Sequence, residues 1–231
     1  MKIVLCTDAN YVDEALTCIS YIHKTQKNID IDVLGFQLDV ASKDKLQNAN
    51  TNVIDFICNK QLGSRFRPNF MKLYIPDYCL DDKVIYLDTD TIPIRRLNAL
   101  WKIDISNYYA ACVRNIVTPT AASSKHYIDF NIEGDTLLAN LGVMVVNCEK
   151  WRDDNITSRL IKYTNKILDK LEDIYPQSLA LGRIQKEEFS FNALLKNQWI
   201  ELDEKWNVTP VSKITKPYVI HTWHDPSSIY K

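Results

Sequence analysis

The chain has 231 residues, 46% of them hydrophobic and 25% charged, with a formal net charge of -1. That length buries a core without disulfide or metal staples, and the near-neutral balance excludes a global positive field of the kind that holds nucleic acid or an anionic membrane. No apolar stretch nears the roughly 20 residues of a membrane helix, and the apolar start from Met1 to Leu5 is too short for a secretory leader. Basic residues gather only locally, at Arg65, Arg67 and Lys72.

In chain order, Lys2 to Thr7 reads as a buried first strand ending in polar Asp8-Ala9-Asn10. Val12 to His23 places Val12, Leu16, Ile19 and Ile22 at helical spacing, with Asp13 and Glu14 in the first turn. A strand at Ile29 to Phe36, a helix at Ser42 to Ala49 and a strand at Asn52 to Ile57 continue the alternation expected of crossover units on a mainly parallel sheet. Phe70 to Leu80 reads as helix or helical turns broken near Pro76, and Lys83 to Leu87 as a strand aimed into Asp88-Thr89-Asp90-Thr91. Tyr108 to Val113 and Val143 to Asn147 are two further strands, separated by a polar stretch, Asn115 to Asp135, with little periodicity. A loop that long inside a compact domain is usually functional. Trp151 to Asp173 and Glu187 to Lys196 read as helices, and Tyr218 to His221 as strand-like. With no repeat, low-complexity tract or Gly/Ser/Pro linker, the reading is one domain over residues 1–231. The six cysteines show no C-x-x-C spacing and read as reduced core thiols, which fits a reducing, cytoplasmic compartment.

An apolar strand delivers its last residues to the carboxyl edge of the sheet, where open α/β folds hold ligands. Residues two apart on extended chain point to the same side, so Asp88 and Asp90 can converge on one hard cation. Asp is also common in solvated turns, and a lone D-x-D is weak; the surrounding motifs raise it. The fragment Tyr86-Leu87-Asp88-Thr89-Asp90-Thr91, the first loop Cys6-Thr7-Asp8-Ala9-Asn10-Tyr11, the run Asn140-Leu141-Gly142-Val143-Met144-Val145-Val146-Asn147 and the pair Trp206-Asn207 together resemble glycosyltransferase family 8, the family of glycogenin and bacterial lipopolysaccharide sugar transferases. The resemblance runs from Cys6 to His221.

That resemblance implies an α/β fold: a single GT-A (Rossmann-like) domain whose mixed, mainly parallel central sheet is flanked by helices. It implies a metal-dependent, retaining hexosyltransferase that uses a UDP-sugar donor and a glycan or glycoprotein acceptor. Asp88, Asp90 and a C-terminal histidine would hold manganese, with magnesium as the alternative; His221 is favoured over His224 because it follows the apolar Tyr218-Val219-Ile220. Mixed carboxylate and imidazole ligands suit manganese better than calcium. Asp8, Asn10 and Tyr11 would hold uracil and ribose, with Thr7 and Thr89 beside them. Lys72, sixteen residues before Asp88 (88 − 72), would meet the donor phosphates, and Asn140 and Gly142 would line the sugar pocket.

Two departures accompany the likeness. Where the family has D-Q-D-x-L-N, this chain has Glu187-Glu188-Phe189-Ser190-Phe191-Asn192, so Glu187 takes the place of the first acid and Glu188 puts a charge at the amide. Both stand as the candidate catalytic carboxylates. The family tail H-x-x-G-x-x-K-P-W is here His221-Thr222-Trp223-His224-Asp225-Pro226-Ser227, with Ser227 at the lysine position and Lys231 further on. The stretch from Asn115 to Asp135 is expected to flank the sugar pocket and help form the acceptor site. Three rivals remain: a glycogenin-like self-glucosylating protein, against which stands the short tail after His221; a nucleotide-sugar hydrolase or pyrophosphorylase; and an inactive UDP-sugar-binding module. Nucleic-acid binding has no support in a slightly acidic chain without an aromatic-basic platform.

Overall fold

The computed structural model describes residues 1–58, 62–181 and 184–223. It opens with β1 (Lys2–Asp8), α1 (Val12–Thr25), β2 (Asp30–Phe36), α2 (Val40–Asn48) and β3 (Asn52–Asp55). Asp39 caps α2 by accepting from Ser42 N at 2.7 Å, which satisfies one of the donors a helix start leaves open. A 3-10 helix (Pro68–Tyr74) runs into α3 (Ile75–Tyr78). Pro76 was expected to break this segment; it sits instead in the first turn of α3, where a missing N–H costs nothing.

Next come β4 (Lys83–Leu87), β5 (Thr91–Pro93), α4 (Asn98–Trp101) and β6 (Ala110–Arg114). The stretch from Asn115 to Asp135 is not structureless: it carries a 3-10 turn (Ala121–Ser123) and α5 (Lys125–Ile128). β7 (Ala139–Asn147) is followed by α6 (Cys148–Asp153) and α7 (Ile156–Ile174). The single helix expected here is divided at Asn155, whose left-handed φ of 52° ends one helix and starts the next. α8 (Pro176–Ala180), α9 (Lys186–Leu195), β8 (Trp199–Leu202) and β9 (Val219–His221) complete the described chain.

Seven strands form one sheet in the order β3-β2-β1-β4-β7-β6-β8, and β5 pairs with β9 in a separate two-stranded ribbon. The pairings β1–β2, β2–β3, β1–β4 and β6–β8 are parallel, while β7 runs against both β4 and β6. This is the mixed, mainly parallel GT-A sheet that the sequence resemblance implied.

Alternation along the strands sorts side chains into two layers. Val4, Tyr86, Met144 and Val146 pack on the face covered by α3, α6 and α7, whereas Ile3, Leu5, Ile85, Leu87, Val143 and Val145 pack on the face covered by α1. A third cluster joins Tyr127, Leu138, Ile167, Leu171 and Phe189, and so fastens the 115–135 stretch to α7 and α9. All six cysteines are free thiols, four of them buried. Among the described residues, no helix is long and apolar enough to cross a membrane.

Candidate active site

The parallel strands β1 and β4 end at the same sheet edge, and antiparallel β7 begins there. A cleft of about 1120 Å³ opens at that edge. All the residues singled out as catalytic, donor-binding or metal-binding line it: Thr7, Asp8, Asn10, Tyr11, Lys72, Asp88, Thr89, Asp90, Asn140, Gly142, Glu187, Glu188 and His221. His224, Ser227 and Lys231 lie outside the described residues.

Asp88 directly follows β4, and its N–H donates to the Gly142 carbonyl at 2.8 Å. Thr91 then folds back, donating to the Asp88 carbonyl through both its backbone N–H at 3.1 Å and its hydroxyl at 2.7 Å. The resulting turn presents Asp90, whose carbonyl accepts from the backbone and hydroxyl of Thr222 at 2.9 and 3.0 Å. The same ribbon pairs Thr91 with His221. A residue 131 positions beyond Asp90 (221 − 90) is thereby locked beside it. His221 Nε2 stands 3.3 Å from Asp90 Oδ1 and 3.8 Å from Asp88 Oδ2.

One ligand atom from each of Asp88, Asp90 and His221 lies within 4.8 Å of the other two. Two carboxylates and one imidazole form a donor set that fits a divalent cation of the manganese or magnesium kind. Burial lowers the proton affinity of His221, but Asp90 and then Asp88 overcome this and raise it above the ordinary histidine value. The pocket attracts positive charge.

Lys72 is buried, and its ammonium donates to Asp88 Oδ1 at 2.8 Å. Burial alone would depress its pKa; Asp88 and Glu187 reverse that and raise it, so the group is a fixed cation. Tyr86 points to the same side of β4 as Asp88 and donates its hydroxyl to the same oxygen. Asp8 is partly engaged in its own turn, since its Oδ1 accepts from Asn10 N at 2.9 Å. Asn140 Oδ1 accepts twice, from Gly142 N at 2.9 Å and from Asn207 Nδ2 at 2.6 Å. Its nitrogen is left to donate to whatever enters the cleft.

The acidic pair on α9 faces the other side of the cleft. Glu187 is buried and accepts from Asn69 Nδ2 at 2.6 Å; burial raises its pKa, against the pull of Lys72. Glu188 accepts from Asn115 Nδ2 at 2.9 Å and from Leu141 N at 3.3 Å. Burial and then the charge of Glu187 push its pKa from 4.5 to about 7. The folded chain therefore holds this proton between 4.5 and about 7, where an unfolded glutamate has released it. The stability contributed is present at low pH and lost as pH rises through that window. Melting temperatures should show it: between about pH 5 and about pH 8, Glu188→Gln is expected to gain roughly 5 °C relative to the parent. A pH-independent gap would contradict this charge assignment.

Sequence reasoning missed Asn69, Asn115, Tyr86 and Asn207 as members of the site. The Tyr86 contact was accessible, because a residue two before Asp88 on a strand shares its face. Asn69 gave no local signal, whereas Asn207 stands in the Trp206-Asn207 pair and Asn115 opens the stretch expected beside the sugar pocket, without a sign of the partner each would meet. Asn192, at the end of the acidic motif, is fully buried and brackets Ala139, accepting from its N–H at 2.7 Å and donating to its carbonyl at 3.0 Å. It ties α9 to the start of β7.

Comparisons with known proteins bear on the family and the fold. Glycosyltransferase GlyA of Streptococcus pneumoniae is 25% identical over 98% of this chain, and General stress protein A of Bacillus subtilis is 28% identical over 60% of it. The chain spans 30% and 44% of the lengths of those two relatives. The galactosyltransferase LgtC, solved with donor and acceptor sugar analogues, shares the fold with a TM-score of 0.77 at 19% identity, covering 98% of this chain and 90% of that one. The sequence profile of glycosyl transferase family 8 matches residues 2–226, nearly the whole chain, and the chain belongs to that family.

Proposed function

We propose that this protein is a metal-dependent, retaining hexosyltransferase that carries a hexose from a UDP-sugar to a glycan or glycoprotein acceptor, with residues 1–231 acting as one domain. The observation that carries the reading is the meeting of Asp88, Asp90 and His221 within 4.8 Å, in a cleft also lined by Glu187 and Glu188. Manganese or magnesium held there by those three side chains would stabilise, as a Lewis acid, the charge that develops on a departing diphosphate.

The chain's own groups divide the remaining work. Asp8, Asn10 and Tyr11, at the end of β1, take the uridine, the half-exposed Tyr11 ring offering a flat wall. Thr7 and Thr89 flank them. Lys72 anchors Asp88 by its hydrogen bond and adds fixed positive charge next to the phosphates. Asn140 donates to a sugar hydroxyl. Glu187 and Glu188 face the anomeric carbon, where a carboxylate stabilises oxocarbenium character. The 115–135 stretch, which contributes Asn115, Val117, Thr118 and residues 123–127 to the lining, forms the acceptor end.

Gly142 bears directly on this geometry. A methyl group on it would stand 2.3 Å from His221 Cε1 and 2.5 Å from Nδ1, so Gly142→Ala is expected to displace the imidazole and cut turnover about a hundredfold. Unchanged turnover would contradict the role given to His221. The whole reading is tested by a screen of nucleotide sugars with manganese, scored by UDP release with and without chelator. UDP release that needs the metal, and product NMR showing retained anomeric configuration, are the expected results. Release of UMP or a nucleoside triphosphate would assign a hydrolase or pyrophosphorylase instead, and binding without turnover an inactive module. Intact mass after incubation with UDP-glucose reports self-glucosylation.

A further inference from the structure

The imidazole of His221 does not face the cleft unaided. Its Nδ1 lies 3.0 Å from Asn207 Oδ1, Asn207 Nδ2 lies 2.6 Å from Asn140 Oδ1, and Asn140 Oδ1 lies 2.9 Å from Gly142 N. Side-chain amides and imidazoles each have two orientations or tautomers that look alike in outline. The last link removes that ambiguity. Gly142 N is a backbone donor and nothing else, so the Asn140 atom facing it is the oxygen. The Asn207 atom facing that oxygen must then be its nitrogen, which turns the Asn207 oxygen to His221. Nδ1 of His221 therefore carries a hydrogen, and Nε2 is the atom turned toward Asp88 and Asp90, where its lone pair is the one a bound cation would take.

The polarity of the whole relay is thus dictated by one peptide N–H in β7. The carbonyl of Gly142 accepts from Asp88 N on the β4 side, while the Asp88 carbonyl is occupied by the backbone and hydroxyl of Thr91, which leaves the Gly142 N–H to Asn140. On the other side β6 pairs Cys112 with Met144 but Val113 with Asn140, so Leu141, Gly142 and Val143 have no partner in β6. Asn207 is equally fixed at its other end. It is 2% exposed, its N–H donates to the Glu204 carbonyl at 3.0 Å, and its neighbour Val208 exchanges hydrogen bonds with Val219 and His221 at 3.0 and 2.8 Å. The Trp206 ring before it stacks on Tyr218 at 4.6 Å.

We propose that Asn207 is the positioning residue of the cation site: by accepting from Nδ1–H while donating to Asn140, it fixes the tautomer and ring orientation in which His221 presents Nε2 to a divalent cation. The proposal rests on the reading of Asp88, Asp90 and His221 as ligands. Hydrogen-bond partners behind a ligating imidazole orient it and raise its basicity, and here the partner is an amide whose direction is set two links away, at Gly142 N.

Calorimetric titration of the purified chain with manganese, in the absence of donor, tests it with two substitutions that differ in what they can accept. Asn207→Leu keeps the approximate shape and accepts nothing; it is expected to weaken manganese binding about 10- to 100-fold. Asn207→Asp still accepts from Nδ1–H but cannot donate to Asn140; it is expected to bind manganese at least as tightly as the parent. Thermal melting of each variant reports folding separately. If Asn207→Leu binds within about twofold of the parent, Asn207 is packing and the proposal is overturned; if Asn207→Asp loses affinity as the leucine variant does, acceptance from Nδ1–H is not what Asn207 supplies and the proposal is overturned as well. Should the leucine variant fail to fold, Asn207→Ala takes its place: it too accepts nothing, is expected to weaken binding about 10-fold or more, and binding within about twofold of the parent overturns the proposal. A parent chain that binds no manganese would sink the ligand reading and this proposal together, whereas a parent that binds and an Asn207→Leu that binds equally sinks only the latter.

Discussion

Asp90→Asn is expected to lower kcat with saturating manganese about a thousandfold and to leave the chain folded. The fold survives because the tie between Thr222 and this turn uses the Asp90 backbone carbonyl, which the substitution keeps. Chemistry fails because an amide oxygen replaces a full charge at the atom 3.3 Å from His221 Nε2. A cation clamped on the leaving group is worth several kcal/mol of transition-state stabilisation, and losing about 4 kcal/mol of it costs roughly three orders of magnitude. Two measurements check this together. Steady-state UDP release gives the rate, and thermal melting with and without manganese gives the binding, since a ligand raises the melting point only of a chain that holds it. A variant that keeps the manganese-dependent rise in melting temperature would contradict the assignment of Asp90 as a ligand.

Lys72→Met is expected to act on stability as well as on rate. The ammonium sits among Asp88, Glu187 and Glu188, all of which favour its charged form, and its own side chain is 7% exposed. Removing one partner of a buried pair strands the other charge, at a cost of about 3–5 kcal/mol. Urea denaturation at neutral pH should show a loss of that order. The loss should shrink when manganese is added, because a cation beside Asp88 supplies the missing compensation. It should also shrink as pH falls, because protonated Glu187 and Glu188 need none; their pKa values are raised, that of Glu188 to about 7. A variant as stable as the parent at neutral pH would show that Lys72 is a spectator. Lys72 is expected to meet the donor phosphates directly; its hydrogen bond to Asp88 gives it a second task, that of anchoring this carboxylate in the cleft.

Long aliphatic runs made the sheet legible. Val84 to Leu87 and Val143 to Val146 carry buried side chains on both faces, and such runs leave no other stable arrangement than an interior strand. The acidic pair was legible as a motif at the end of such a run, although the turn that Thr91 closes on the Asp88 carbonyl, and not an extended period of two, brings Asp90 beside Asp88. β5 was not, because three residues after a turn hold no periodicity, and its partner β9 arrives from about 130 positions later. The division of the long helix at Asn155 turns on one left-handed residue, which Asn adopts at small cost and without any neighbouring signal.

The amides of the cleft form a similar class. Asn69, Asn115 and Asn207 each meet a partner at least 14 positions away in sequence, and their direction depends on which atom the partner offers. Sequence names the residue type but not that pairing. Glu187 and Glu188 lie between the two cases. Their place in the motif could be counted back from Asn192, yet what makes them unlike surface glutamates, burial and, for Glu188, the charge of Glu187, follows only from the packing of α9 across the cleft.

Diffraction from a crystal soaked with manganese and UDP, recorded so that manganese scatters anomalously, tests the central claim most directly. The expected result is one anomalous peak bonded to Asp88, Asp90 and His221 Nε2 and to both phosphates of UDP, with the uracil against Tyr11. A peak elsewhere, or a nucleotide bound with those three side chains uninvolved, would contradict the account.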